Sequence, residues 1–173
     1  MKIEKDIFLK GHTIGLRVPS EDDMLKSGWH TWYNDYETTR YNSHGVYPVS
    51  VEDEYKFIQE TLNKNDAILL AIYDLKNNKL LGNACLQNIN HFNRRCNLAV
   101  TIGEPASMSA CIEVFGLLTE HAFMKLNLER IEEGTHEALL KLIKMLSVIG
   151  YEIEGFSKRY FLKDNVWSSK INF

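Results

Sequence analysis

Two hydrophobic periods share this chain, and the switches between them mark out its elements. Residues 67–75, AILLAIYDL, and 79–89, KLLGNACLQNI, are nearly continuous apolar runs on either side of Lys76-Asn77-Asn78. Such runs around a polar turn predict a hairpin of buried strands. Residues 95–102, RCNLAVTI, predict a third strand. Upstream, residues 7–18, IFLKGHTIGLRV, alternate well enough for one edge strand that stops at Pro19.

Helical spacing fills the gaps. Ser20 with Asp23 has the form of an N-cap and its capping-box partner, and predicts a helix carrying Met24, Leu25, Trp29 and Trp32. Residues 35–48 are polar and aromatic and read as a loop or broken helix. Ser50 with Asp53 repeats the capping signature and opens a second helix, to about Leu62. Beyond the third strand, Ile112, Phe115, Thr119, Ala122, Phe123 and Leu126 share one side of a long helix. Residues 128–135 predict one strand. Residues 138–149 predict a helix with Leu139, Leu142, Leu146 and Ile149 on its seam and Gly150 as its C-cap. Residues 151–161 and 166–173 close the chain as a hairpin around Lys163-Asp164-Asn165. This order predicts a mixed α/β layer architecture with helices on both faces of one sheet.

With 173 residues, 45% hydrophobic and 25% charged, the chain fits one domain spanning residues 1–173, without linker or repeat. A chain this long buries about 70% of its unfolded surface. The formal net charge of −3 and the scattered Lys and Arg argue against a nucleic-acid surface. No run of about 18 apolar residues is present, so no membrane partner is expected. The start, MKIEKDIFLK, lacks the apolar core of a signal peptide. Cys85, Cys96 and Cys111 are odd in number and lack ligand spacing, which fits reduced thiols in a cytoplasmic protein. Cys111 is the thiol nearest the central turn. His12, His30, His91 and His121 share no metal-ligand spacing, so no metal is expected.

Residues 97–123, NLAVTIGEPASMSACIEVFGLLTEHAF, carry the best chemical clue: a buried strand, a turn of small residues, then a helix. A helix N-terminus presents unpaired N–H groups, which suit a phosphate or pyrophosphate. Ala106, Ser107, Ser109 and Ala110 are small enough to let a ligand approach the backbone.

The element order, taken with LKGHTIGLRVPSEDD, WYNDYETTRYNSHG, NHFNRRCNLAVTIGE, LLTEHAFMKLNLERI, IGYEIEG and KRYFLKDN, resembles the GNAT superfamily of acyl-CoA N-acyltransferases. The likeness covers nearly the whole chain. It is nearest the branch of ribosomal-protein alanine acetyltransferases and amino-sugar N-acetyltransferases. The resemblance implies a mostly antiparallel sheet with a splayed central strand pair, and acetyl-CoA as cosubstrate. It places the pantetheine arm on Leu98, Val100 and Ile102, and the pyrophosphate on Ser107, Met108, Ser109, Ala110 and Cys111. The acceptor is then a primary amine, of a small molecule such as a nucleotide-linked amino sugar, or of a protein N-terminus. The chain departs from the family pattern at four places. Ser107 and Ser109 stand where glycines are usual, Asn97 where a Glu is frequent, Leu146 where a Tyr protonates the thiolate, and Leu139 where an Asn touches the cofactor.

Two histidines are the candidate catalytic groups. His44, in Tyr41-Asn42-Ser43-His44-Gly45, lies in a loop and titrates near neutral pH. His136, after the strand that ends near the thioester, could replace the missing acid and base. Trp32, Asn42, Glu104 and Tyr160 are candidates for the acceptor pocket. Glu113 reads as a first-turn carboxylate that favours the helix dipole. The apolar terminal hairpin could pair across a homodimer. The alternative reading is a catalytically degenerate fold of this kind that binds or scaffolds a ligand.

Overall fold

The computed structural model describes residues 6–173; residues 1–5, the start of the stretch read as lacking a leader, lie outside them. Two sheets meet in a V. The larger has six strands in the order β1 (Leu9–Lys10), β2 (Ile14–Arg17), β3 (Ile68–Asp74), β4 (Lys79–Asn90), β5 (Arg95–Ile102) and β6 (Arg130–Glu132). The smaller holds β7 (Gly134–His136), β9 (Val166–Asn172) and β8 (Gly155–Lys163), in that order. All pairings are antiparallel except β5 with β6.

Four helices precede β3: α1 (Glu21–Lys26), α2 (Trp29–Asn34), α3 (Tyr36–Thr39) and α4 (Val51–Leu62). α5 (Met108–Met124) follows β5, and α6 (Leu140–Val148) follows β7. The period-two alternation of β3 shows how the layers assemble. Leu70 and Ile72 face a core shared with Val114, Leu118 and Ala122 of α5 and Leu146 of α6. Leu69, Ala71 and Tyr73 face the other way, onto Met24, Trp29, Trp32, Tyr33 and Ile58.

Four sequence expectations need correction. The opening edge strand is a hairpin, because the Gly11 N–H donates to Ile14 O at 2.9 Å. The first helix breaks at Gly28, whose φ of +80° suits a residue without a side chain. The strand expected over 128–135 splits at Glu133 into β6 and β7, on different sheets, while helices cover both faces of the larger one. The buried seam of α5 runs through Ala110, Val114, Phe115, Leu118 and Ala122, leaving Ile112 and Phe123 exposed. Both capping signatures form: Asp23 N–H donates to Ser20 Oγ at 3.3 Å and Asp53 N–H to Ser50 Oγ at 3.1 Å. The terminal hairpin turns on Asp164 and Asn165, with φ of +50° and +63°. That pair of left-handed residues matches the strand twist.

α5 is tied to the N-terminal hairpin. Glu113 accepts from Thr13 N–H at 2.9 Å, Thr13 Oγ1 at 2.8 Å and Ile14 N–H at 3.3 Å. Its carboxylate therefore serves a tertiary contact, and not the helix dipole alone.

Glu54 of α4 is buried beside Trp29 and Tyr33, and burial pushes its carboxyl up to about 7. The nearby Trp29 indole offsets the shift only in part. The folded chain thus holds this proton more tightly than the unfolded chain, whose carboxyl titrates near 4.5. The burial cost is absent below that pH, grows as pH rises to about 7, and is constant above it. Glu54→Gln should leave stability unchanged at the acid end of this window. At pH 8 it should raise the unfolding free energy by about 2 kcal/mol, read from urea titrations at both pH values.

Candidate active site

The break at Glu133 creates the site. β5 pairs with β6 only at Arg95, Cys96 and Asn97. Beyond that the chain crosses to the second sheet: Phe173 N–H donates to Glu133 O at 2.9 Å, and Glu133 N–H donates to Phe173 O at 3.3 Å. Residues 98–102 of β5 are left with no strand on their outer edge. β5 and β7 both lead into helices, so α5 and α6 begin at the carboxyl ends of the two diverging strands. Crevices at such ends are where open sheets take ligands.

Ion pairs pin the closed end of the V. Glu132 accepts from Arg95 Nη1 at 2.8 Å, Arg130 Nε at 3.0 Å and Asn97 Nδ2 at 3.4 Å. Arg95 first, then Arg130, hold its carboxyl below the usual range. Arg130 also pairs with Glu154.

Two cavities occupy the open part. One of about 490 Å³ includes Leu98, Asn97, Glu132 and Arg130 in its walls. The other, of about 590 Å³, includes Ile102, His136, Leu139, Leu142 and Tyr160. Asn42, His44, Val100, Glu133 and Lys170 line both. A third cavity of about 490 Å³ opens on the α4 side, between Tyr33, Phe57, Asn83 and Thr101. His44 lines all three.

His44 is placed by its neighbours. Its N–H donates to Asn42 Oδ1 at 2.8 Å, and its carbonyl accepts from Lys163 of the terminal hairpin. Its ring lies 4.8 Å from that of Tyr33. Burial against this wall, and then the Lys163 charge, lower its pKa, so the imidazole is neutral at pH 7. His136 is packed between Tyr41, at 5.0 Å, and Phe161, at 5.2 Å. Ala138 N–H donates to its Nδ1 at 3.0 Å, which puts the proton of the neutral ring on Nε2. Burial lowers its pKa also. Tyr160 is half exposed, under Lys170 Nζ at 5.0 Å from its ring centre.

The V therefore brings together His44, His136, Asn42, Tyr160, Leu98, Val100 and Ile102. Trp32 and Glu104 lie apart from it. Trp32 is buried in the α1–α2 core, with its indole N–H 3.5 Å from Glu104 Oε1. Glu104 is paired with Lys79 at 2.7 Å, which holds its carboxyl down. Ser107, Met108, Ser109, Ala110 and Cys111 form the start of α5 and line none of the three cavities. Ser107 Oγ already accepts from Ala110 N–H at 3.1 Å and lies 2.8 Å from Ser109 Oγ. Burial raises the Cys111 thiol above its ordinary value, which disfavours the nucleophilic thiolate. Leu146 is fully buried in the core, and Leu139 lines the larger cavity. No group of His, Cys, Asp and Glu suited to a metal occurs among the described residues. No helix among them is long and apolar enough to cross a membrane.

One residue escaped the sequence reading. Glu133 lines both cavities of the V, its Oε2 is buried without a hydrogen-bond partner, and burial pushes its carboxyl up to about 7. In Ile131-Glu132-Glu133-Gly134 it looks like one more solvated charge; only the doubled carboxylate at a strand end marked it.

A family model described as an acetyltransferase (GNAT) domain matches residues 16–171. The chain belongs to the GNAT acetyltransferase family. No curated protein matches the chain. Among solved structures, the spermidine N-acetyltransferase of Vibrio cholerae, in complex with CoA and spermine, is 17% identical with a TM-score of 0.83. That match covers 94% of each chain. The ribosomal-protein-S5-alanine acetyltransferase of Vibrio fischeri is 17% identical with a TM-score of 0.81, over 96% of this chain and 94% of that one. The acetyltransferase (GNAT family) of Bacillus anthracis is 16% identical with a TM-score of 0.78, over 96% of each. At such identities the likeness shows the fold, and this GNAT chain has the splayed strands expected of it.

Trp32 also sets a packing constraint beside the site. A Cβ added to Gly103, at the end of β5, would lie 2.0 Å from the Trp32 ring. Gly103→Ala must displace this buried indole. It should lower the unfolding free energy by about 1–3 kcal/mol in urea titrations, with blue-shifted tryptophan emission lost at lower denaturant.

Proposed function

We propose that this chain is an N-acetyltransferase that moves acetyl from acetyl-CoA directly onto a primary amine. One observation carries the reading: the free edge of β5, residues 98–102, borders cavities that meet at His44. An exposed strand edge offers main-chain donors and acceptors to an extended, amide-bearing arm. The residues fit such a donor: Leu98, Val100 and Ile102 supply that edge, and α5 begins just beyond it. Ser107, Met108, Ser109, Ala110 and Cys111 would receive the pyrophosphate there, once Ser107 Oγ gives up Ala110 N–H. The donor supplies an acetyl thioester, already activated toward nitrogen.

The chain's own groups position the acceptor. The cavity on the α4 side leads from solvent to His44, and Asn42 and Tyr160 border the route through the V. Holding the amine against the thioester carbon supplies much of the rate. His44 and His136, both neutral at pH 7, can accept or relay a proton. Spermidine and ribosomal-protein N-acetyltransferases share the fold, which supports an amine acceptor. The acceptor class is a small amine, including a nucleotide-linked amino sugar, or a protein N-terminus. Three free cysteines support a cytoplasmic setting.

The second reading, a ligand-binding module without turnover, is favoured by Leu146: fully buried, it leaves no hydroxyl at that place to protonate a leaving thiolate. Acetyl-CoA at about 100 times its dissociation constant should stabilise the protein by about 2.7 kcal/mol, seen as a rise of a few degrees in Tm. No rise would overturn both the transferase reading and a CoA-binding module. Thiol release with amines then separates the two. His44→Ala should cut that release more than tenfold while keeping the acetyl-CoA shift in Tm; undiminished release would remove His44 from the mechanism.

A further inference from the structure

The Glu133 carboxyl has one oxygen that is buried and unpaired. Its main chain carries the crossing between the sheets through Phe173, but its side chain accepts no hydrogen bond at Oε2, although that atom is buried. A buried, unpaired carboxylate oxygen costs several kcal/mol when charged. The ion-pair cluster alongside does not relieve it: Arg95 and Arg130 are engaged by Glu132, and Arg130 also by Glu154. Such a group persists where a ligand supplies the missing donor.

We infer that Glu133 is the general base of the transfer, receiving the acceptor's ammonium group in the V and taking its proton. The inference rests on the amine-acetyltransferase reading above and gives the first proton to Glu133, leaving His44 and His136 to relay protons. Position supports it. Glu133 stands where β6 and β7 separate, facing the free edge of β5 across both cavities, so it borders the space where donor and acceptor must meet. Gly134 beside it has no side chain, and Lys170 fills that space: a Cβ on Gly134 would lie 1.7 Å from Lys170 Cε.

The charged groups around Glu133 set its behaviour. Lys170 of β9 favours the carboxylate but does not overcome burial. Glu132 and Glu154 line the same cavity with Arg130. His44 and His136, on the other walls, are neutral at pH 7. Tyr151, after α6, is held up at about 12 by burial first and then by the Glu133 charge, so it stays protonated. A protonated amine entering this space gives the carboxylate its missing partner.

The step balances as follows. The Glu133 carboxylate removes one proton from the ammonium nitrogen, and the freed lone pair forms the C–N bond to the thioester carbonyl. As the C–S bond breaks, a second proton leaves nitrogen for the thiolate sulfur. The products are the acetamide and CoA thiol, and Glu133 returns its proton to water. Asn97 cannot substitute, since its carboxamide is held between Asn88 and Glu132.

The test uses the full chain, Glu133→Gln and Glu133→Asp. In ligand-free protein, ¹³C-carboxyl NMR should show two glutamate signals that titrate near 7, those of Glu54 and Glu133, and only one of them should remain in Glu133→Gln. A Glu133 carboxyl titrating in the ordinary range would show that it is paired, and would overturn the assignment. Thiol release from acetyl-CoA is then followed with spermidine, glucosamine and an alanine-terminated peptide. Wild-type kcat/KM should rise with pH through about 7, because the base must be deprotonated to act. Glu133→Gln should lose at least 100-fold in kcat and lose this limb, with its acetyl-CoA shift in Tm intact. Glu133→Asp, which keeps the carboxyl, should restore the limb and part of the rate. Wild-type turnover and pH profile in Glu133→Gln would overturn the inference while leaving the transferase reading standing. Acetyl-CoA binding without thiol release from any of the amines would overturn both.

Discussion

A strand can continue a sheet only while its neighbour runs beside it. β5 and β6 stay together for three paired residues, and then the chain is drawn by Phe173 onto a second sheet. Everything that makes a site here depends on that parting. It leaves one edge of β5 bare in the interior of the molecule, where an edge strand is normally paired, covered or charged. It also aims two helices at the gap, since β5 and β7 each end by turning into one. The Arg95–Glu132–Arg130–Glu154 chain of ion pairs fixes where the parting starts. The tip of the terminal hairpin fixes how the far side closes, through Lys163 on the His44 carbonyl and Tyr36 on Asp164 at 2.8 Å.

Burial and charge divide the work of the acidic residues. Glu104, Glu113 and Glu132 are each matched by cations or N–H donors, and all are held down as stable carboxylates. Glu54 and Glu133 are not matched, and both are pushed up to about 7. The difference lies in where each carboxyl points. Glu54 is enclosed by aromatic side chains beneath α4, away from any of the three cavities, and so is a cost of packing. Glu133 borders the cleft, where a visiting cation can meet it.

Much of the fold was legible because local chemistry and tertiary structure agree in it. The capping pairs Ser20–Asp23 and Ser50–Asp53, the turns at Lys76-Asn77-Asn78 and Asp164-Asn165, and the central strand–turn–helix all appear where residue type placed them. The misses share a cause. Nothing in Leu128 to Thr135 shows that two halves of one extended run will pair with different partners, since both halves have the same local pattern. The α5 seam differs from its apolar pattern because Ile112 and Phe123 are apolar yet exposed, while small Ala110 is buried with Val114 and Leu118. In the site, His44 and His136 could be found from a loop and a strand end. Their convergence with Glu133 could not, because it comes from the twist between two sheets, which no single segment encodes.

The tie between Glu113 and the turn at Thr13 has a consequence for the order in which this protein can assemble. The first hairpin, residues 9–17, has only its own few hydrogen bonds until β3 is made, and its turn stays unclasped until the first turns of α5 are complete. A two-stranded ribbon of this length does not persist alone in water. On the ribosome, β2 must therefore wait about fifty residues for β3, and the turn at Thr13 about a hundred for Glu113. The edge of the larger sheet is set among the last parts of that half to close, although it is synthesised before the strand and helix that hold it.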